Sequence, residues 1–257
     1  MGFLVDVAGF TVSDGQTVVT GAAGGGAQRM RCASVLKPLL FWVGADLGVF
    51  ADRRDWARAA QPAVALSAND PTVALWRMCG AEALLTGLAA RTGRTWPLEP
   101  GGARSFGRVL ISAEDLAVAY AALALACEQG DDVAARLLEW MRALPECQTF
   151  GARSAAAGQL AVPGMTVGVK SGWFCDTDET RLRTHAVTVT SVSDGSTVGS
   201  VVLSAVDAAP ALRWAYTKAY RTGDEVLPYH WELAGGHIFR ETRAALMRHA
   251  RTPPWAE

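Results

Sequence analysis

Lysine is almost missing from this 257-residue chain. Only Lys37, Lys170 and Lys218 occur, and the other 21 of the 24 basic side chains are arginine. A buried ammonium can shed its proton and a guanidinium cannot, so each lysine in so arginine-biased a chain invites a chemical reason. Cysteine is sparse and unpaired in pattern. Cys32, Cys79, Cys127, Cys147 and Cys175 are odd in number and contain no C-x-x-C pair, so they read as reduced, mostly buried thiols rather than a disulfide framework. His185, His230, His237 and His249 are not spaced with these cysteines as a zinc set, and no metal is expected. A run of one charge sign is also lacking, and the formal net charge is −1. That pattern speaks against a nucleic-acid surface or a polybasic membrane patch. The longest apolar stretch near the front, residues 38–50, is broken by Asp46 and too short to span a bilayer. The chain opens Met1-Gly2-Phe3 and enters a strand-like stretch at once, without the basic, apolar and small-residue regions of a secretory leader. The expectation is a cytoplasmic protein, or a secreted one whose leader has been removed.

What is present is a large apolar fraction, 50% of residues, enough for a substantial core in one domain. Residues 2–23 read as a hairpin, with strands in Phe3–Val7 and Thr17–Thr20 and a turn at Ser13-Asp14-Gly15. Gly24-Gly25-Gly26 breaks the chain. A buried helix is expected from Ala33 to about Phe50, with Pro38 in its early part. Residues 51–97 alternate short helices and turns. There Asp70 is expected to cap a helix, with Pro71 in its first position. Ser112 and Asp115 form a capping box ahead of the almost wholly apolar Leu116–Cys127, a central buried helix, and another helix follows at about 131–144. From Met165 the period changes to two. Strands are expected over 165–174, 183–192 and 198–206, with a hairpin turn at Ser193-Asp194-Gly195, and helices near 210–220 and 237–250. Strands, helices, strands and helix in that order predict an α+β fold. An antiparallel sheet is drawn from both chain ends (1–31 and 165–257), with a helical half (32–164) inserted between them in a single domain.

Two of the three lysines lie in short motifs, Ser34-Val35-Leu36-Lys37 and Lys170-Ser171-Gly172. A lysine three residues after a serine on a helix faces the same way and can activate that hydroxyl as a nucleophile. Between them lies Ser67-Ala68-Asn69. Each motif also has a plain structural reading. Ser34 and the Ser67–Pro71 stretch suit helix starts, and Lys170–Gly172 suits an ordinary edge strand. Their order and placement together make the chemical case.

S-x-x-K, then S-x-N, then K-[ST]-G is the signature set of the serine β-lactamases and penicillin-binding proteins. The chain resembles that superfamily over about residues 1–206, and class A β-lactamases most nearly. The resemblance implies a β-lactamase/transpeptidase-like fold and an acyl-enzyme mechanism without metal or organic cofactor. It assigns Ser34 as nucleophile, Lys37 as its base, Ser67 as proton relay to the leaving group, Asn69 as partner of Lys37 and of the acyl side chain, and Lys170 as a source of positive potential. It also implies that Ser171 contacts a substrate carboxylate, that Gly172 lets substrate approach, and that the amides of Ser34 and Trp173 form the oxyanion hole. Glu99, in Leu98-Glu99-Pro100-Gly101-Gly102, falls in the interval where class A enzymes carry the glutamate that activates the deacylating water, without their following asparagine. Arg181 and Arg183 fall near the family's carboxylate-binding arginine.

Three features depart from class A enzymes. Only 33 residues separate Ser34 from Ser67, the motif variants are Ser-Ala-Asn and Lys-Ser-Gly, and the stretch 207–235 holds Trp214, Tyr216, Tyr220, Tyr229 and Trp231. The expected activity is hydrolysis of a β-lactam or related cyclic amide, with a small lactam, amide or ester as partner. A cytoplasmic esterase, amidase or acyltransferase and a ligand-binding member of the fold are the alternatives.

Overall fold

The computed structural model describes residues 3–20, 29–149, 152–153, 156, 165–174, 181–193 and 195–207. The expected helices near 210–220 and 237–250, the aromatic stretch and the triple-glycine break lie outside the described residues, apart from Asp207.

The sheet is antiparallel throughout. Strand β1 (Phe3–Ser13) turns into β2 (Gln16–Thr20) through Asp14 and Gly15, both at positive φ, the backbone of a tight hairpin turn. The chain returns to the sheet only after the helices, as β5 (Thr166–Phe174), β6 (Arg181–Ser191) and β7 (Thr197–Asp207). The strand order is β2-β1-β7-β6-β5, so the first strand pairs with the last described one, and β5 is an edge among the described strands. Alternation assigns the two faces. Phe10, Val12, Val187, Val189, Val201 and Leu203 face the main core, while Val7, Val167, Val169, Ala186 and Val202 face a smaller cluster with Leu144 and Ala152. Gly199 lies under the Phe10 ring, where a Cβ would stand 2.0 Å from ring carbon.

The main core is filled by the central helix α5 (Ala113–Glu128), whose start carries the expected box. Ser112 Oγ accepts from the Asp115 amide at 3.1 Å, and Asp115 accepts from the Ser112 amide at 3.2 Å. Around it lie α1 (Lys37–Gly44), α2 (Arg53–Ala65), α3 (Asp70–Cys79), α4 (Ala81–Thr92) and α6 (Asp132–Arg142). A two-stranded ribbon, β3 (Met30–Arg31) with β4 (Leu110–Ile111), ties the entry of α1 to the entry of α5.

Two expectations are corrected. The first helix ends at Gly44 rather than near Phe50, where the backbone bonds shorten to three residues (Asp46 N to Val43 O at 3.0 Å, Leu47 N to Gly44 O at 3.4 Å) and Gly48 adopts positive φ. Asp70 is not the cap of α3. Asn69 occupies the cap position, and its side chain makes no capping bond because it is held by Lys37 instead.

Candidate active site

A 3-10 turn, Ala33–Leu36, leads from β3 into α1. Every residue from Met30 to Gly44 is buried except Ser34, which is half-buried. The turn begins at Ala33 with φ 49°, a left-handed conformation that an alanine adopts only when its surroundings hold it there. Lys37, one turn on, opens α1 and is fully buried.

The Lys37 ammonium points at the second motif. Its Nζ donates to the backbone oxygens of Ser67 and Ala68, the latter at 2.9 Å, and to Asn69 Oδ1 at 2.8 Å. The third motif meets the same residue from the other side, since Lys170 Nζ donates to Ser67 Oγ at 2.7 Å. Ser67 joins the two because its backbone is left-handed, with φ 59°, so its carbonyl turns to Lys37 while its hydroxyl turns to Lys170. Burial, and then the neighbouring Lys170, pull Lys37 well below the ordinary lysine value. Burial alone brings Lys170 down to about 7. The three oxygens around Lys37 oppose the shift, since they solvate its charged form. No carboxylate bonds to either amine among the described residues.

Strand β5 brings Gly172 against the nucleophile turn. A Cβ there would lie 2.8 Å from the Ser34 nitrogen and 2.9 Å from the Val35 nitrogen. Those amides belong to the first turn of a helix, which has no intrahelical acceptor for them, so only glycine leaves the space in front of them open. Trp173 follows, half-buried and paired with Thr184. Ser171 lies on the opposite face of β5 from Lys170, and its buried Oγ has no hydrogen-bond partner among the described residues. Arg181 opens β6, about 14 Å of strand from His185, which pairs with Gly172, so its backbone stands at the end of the strand rather than beside Ser34. Arg183, half-buried, pairs with Phe174.

Glu99 is engaged elsewhere. Arg31 Nε and Nη2 donate to its Oε1 at 3.2 and 2.8 Å, Nη2 also stands 2.7 Å from Oε2, and Arg108 Nη1 donates to Oε2 at 3.2 Å. No hydrogen bond joins Glu99 to Ser34, Lys37, Ser67 or Asn69 among the described residues. Arg31 is buried, and its backbone oxygen accepts from His185 Nε2 at 2.9 Å. The Ser204 amide donates to His185 Nδ1 at 3.3 Å, which fixes the neutral ring with its proton on Nε2. Burial pushes His185 down to about 4. Tyr120 of α5 donates to the Val35 carbonyl at 2.6 Å from the far side. Sequence reasoning missed Arg31, Arg108, Tyr120 and His185 as neighbours of the nucleophile. Arg31 stands only three residues before Ser34, but nothing in the sequence separates one buried arginine from twenty others.

No group of three or more His, Cys, Asp or Glu gathers as a metal site among the described residues.

No protein-family model matches the chain, and no curated protein sequence matches it. Solved structures do. A β-lactamase from Burkholderia vietnamiensis is matched with a TM-score of 0.60 at 15% identity, over 98% of this chain and 92% of that one. A β-lactamase from Streptosporangium roseum gives 0.60 at 15% identity, over 94% and 91%. A class A β-lactamase representative from Bacteroides cellulosilyticus gives 0.58 at 12%, over 96% and 93%. At these identities the likeness is one of fold, and the chain has the α+β fold of these β-lactamases.

Proposed function

We propose that this chain is a serine hydrolase that forms an acyl-enzyme at Ser34 on a β-lactam or related cyclic amide. The observation that carries the reading is the pair of buried lysines, Lys37 and Lys170, joined through Ser67 with no carboxylate partner among the described residues, together with a half-buried serine one turn before Lys37. Two ammonium ions without a counter-ion are not held together away from water, so at least one amine is neutral near pH 7 and available as a base.

The substrate carbonyl sits in front of Gly172, with its oxygen toward the Ser34 and Trp173 amides. Ser34 Oγ attacks the carbonyl carbon as its proton passes to the lone pair of neutral Lys37, whose two N–H groups keep two of the three oxygen contacts. The amides stabilise the tetrahedral oxyanion. The carbon–nitrogen bond breaks, and the leaving nitrogen takes a proton from the Ser67 hydroxyl, which Lys170 replenishes. Asn69 holds Lys37 in place, and Ser171 Oγ, buried without a hydrogen-bond partner among the described residues, is the group proposed to meet a substrate carboxylate. Water then cleaves the ester and restores Ser34.

The Glu99 contacts favour a second reading of that last step. With both oxygens taken by guanidinium groups, Glu99 is a poor activator of water, so hydrolysis is slow and the acyl group passes to another acceptor. The test is intact-mass analysis after incubation with penicillins, cephalosporins and activated esters. One acyl adduct is expected, absent in Ser34→Ala. An adduct that persists undiminished in Ser34→Ala overturns the proposal. Rapid turnover without accumulation, abolished in Glu99→Gln with acylation unchanged, overturns the second reading.

A further inference from the structure

Three residues near the nucleophile take no part in the chemistry above, yet they surround the backbone that leads into it. Arg31 lies on β3 immediately before the turn, with its guanidinium buried on Glu99 and its carbonyl buried on His185. His185 is on β6 directly opposite Gly172, the residue whose missing Cβ makes room for the Ser34 amide. Glu99 is in the loop that pairs back through Val109, and Val109 accepts the Cys32 amide at 2.9 Å. The segment Arg31–Ser34 is therefore gripped from two sides, by the sheet through His185 and by the loop through Glu99. Between those grips and Ser34 sits Ala33 in its left-handed conformation.

We infer that Arg31, Glu99 and His185 are positioning residues that together set where Ser34 presents its hydroxyl and its amide. The inference rests on the reading of Ser34 as nucleophile. Its physical content is a leverage argument. Ala33 reverses the chain, so a small relaxation at Arg31 swings Ser34 relative to Gly172 and Lys37. A nucleophile displaced by about 1 Å loses roughly 10²-fold in rate. Each grip has its own donor geometry. A bidentate guanidinium holds both carboxylate oxygens, which an ammonium cannot reproduce. The imidazole reaches Arg31 O through Nε2–H, and a glutamine carries an N–H at the same distance from the backbone, whereas a phenylalanine fills the space and donates nothing.

The test follows adduct formation on the full chain by intact-mass spectrometry, with nitrocefin and p-nitrophenyl acetate as probes. Folding is checked by circular dichroism. The variants are His185→Phe, His185→Gln, Arg31→Lys and Glu99→Gln. The expected result is acylation slowed about 10²-fold in His185→Phe, with most of that loss recovered in His185→Gln. Arg31→Lys and Glu99→Gln are expected to slow acylation by roughly tenfold, still as a displacement effect. The loss should fall on the first-order acylation constant and not on the probe concentration at half-saturation. If Glu99 instead activates water, Glu99→Gln acylates at the wild-type rate and only release slows, which overturns its positioning role. Equal acylation in folded His185→Phe and wild type overturns the inference while leaving Ser34 as nucleophile. No adduct on the wild type with any probe overturns the Ser34 reading and the positioning role with it.

Discussion

Buried cations stand on both sides of Ser34 in the sequence, Arg31 before it and Lys37 and Lys170 after it, and the protein treats the arginine and the lysines in opposite ways. Arg31 is given a carboxylate in bidentate contact, and Arg108 supports that carboxylate from behind. Lys37 and Lys170 are given carbonyls, an amide oxygen and a hydroxyl, and no anion among the described residues. A buried charge with a fitted partner is architecture, because both ions gain from the contact and neither can leave it cheaply. Buried amines without a counter-ion are held at a cost to the folded state, and their protons are correspondingly easy to remove. The difference also explains the division of residue types. Arginine serves where a fixed charge is wanted and lysine where a proton must move.

The sharpest way to break this comparison is to put an arginine where a lysine stands. Lys37→Arg keeps the charge and removes the base, so acylation is expected to fall by roughly 10²–10⁴-fold. Lys37→Gln, which fits the slot without a guanidinium, should fall as far. Adduct formation within about tenfold of wild type, or about 1.4 kcal/mol of barrier, would reduce Lys37 to an electrostatic or structural residue.

A common substitution separates the two groups by sign. Arg31→Met leaves the Glu99 carboxylate without its main partner in a half-buried place, and stability measured by urea unfolding should fall by about 3 kcal/mol. Adding Glu99→Leu should return much of the loss. Lys170→Met removes an amine that burial disfavours, so stability at pH 7 should hold or rise despite the loss of the Ser67 contact. The pH dependence has a matching sign. Lys170 has a folded value of about 7 against 10.5 for an ordinary lysine, so the unfolded chain binds the extra proton between those values. Stability is therefore highest above that window and falls as pH drops through it. Lys170→Met should remove this slope. A loss of more than about 2 kcal/mol in Lys170→Met at pH 7 would show that the lysine is as well paired as Arg31.

His185 belongs with the architectural group, and acid is the way to unsettle it. Its folded value of about 4 lies below the ordinary 6.5, so the unfolded chain binds its proton first. Its contribution is complete above pH 6.5 and lost as pH falls toward 4, by at most about 3 kcal/mol. Protonation also places an N–H at Nδ1 against the Ser204 amide and breaks that contact. His185→Gln should flatten the acid limb of the stability curve. An unchanged limb would assign the loss to other groups, with Asp6 excluded by sign because burial raises it.

The same contrast marks what a sequence can tell. The lysine motifs were legible because each carries its own residues at fixed short spacing and lysine is scarce elsewhere. The Ser112–Asp115 cap and the period-two strands were legible for the same local reason. The cap of α3 was misplaced on Asp70 by one residue, since Asp and Asn both suit a helix start, while the expected contact of Asn69 with Lys37 is present. Arg31 and Glu99 meet across 68 residues, and His185 meets Arg31 across 154, so their roles arise from strand register rather than from spacing. Alternation along β5 already implied that Lys170 and Ser171 face opposite ways. What it could not supply was the contact of Lys170 with Ser67, which lies 103 residues away.

The smallest expected effect decides whether the larger ones are local. Ser112→Ala removes the hydroxyl that accepts the Asp115 amide at the start of α5 and should cost about 1 kcal/mol. It touches neither cation group, although α5 carries the Tyr120 contact to Val35. If clamping of Ser34 is specific to the Arg31 and His185 grips, Ser112→Ala should lower the midpoint of urea unfolding and leave the acylation constant unchanged. If it slows acylation as much as Arg31→Lys does, the nucleophile turn is sensitive to any loosening of the core. The difference between paired and unpaired cations would then bear on stability alone, with no separate role in presenting Ser34.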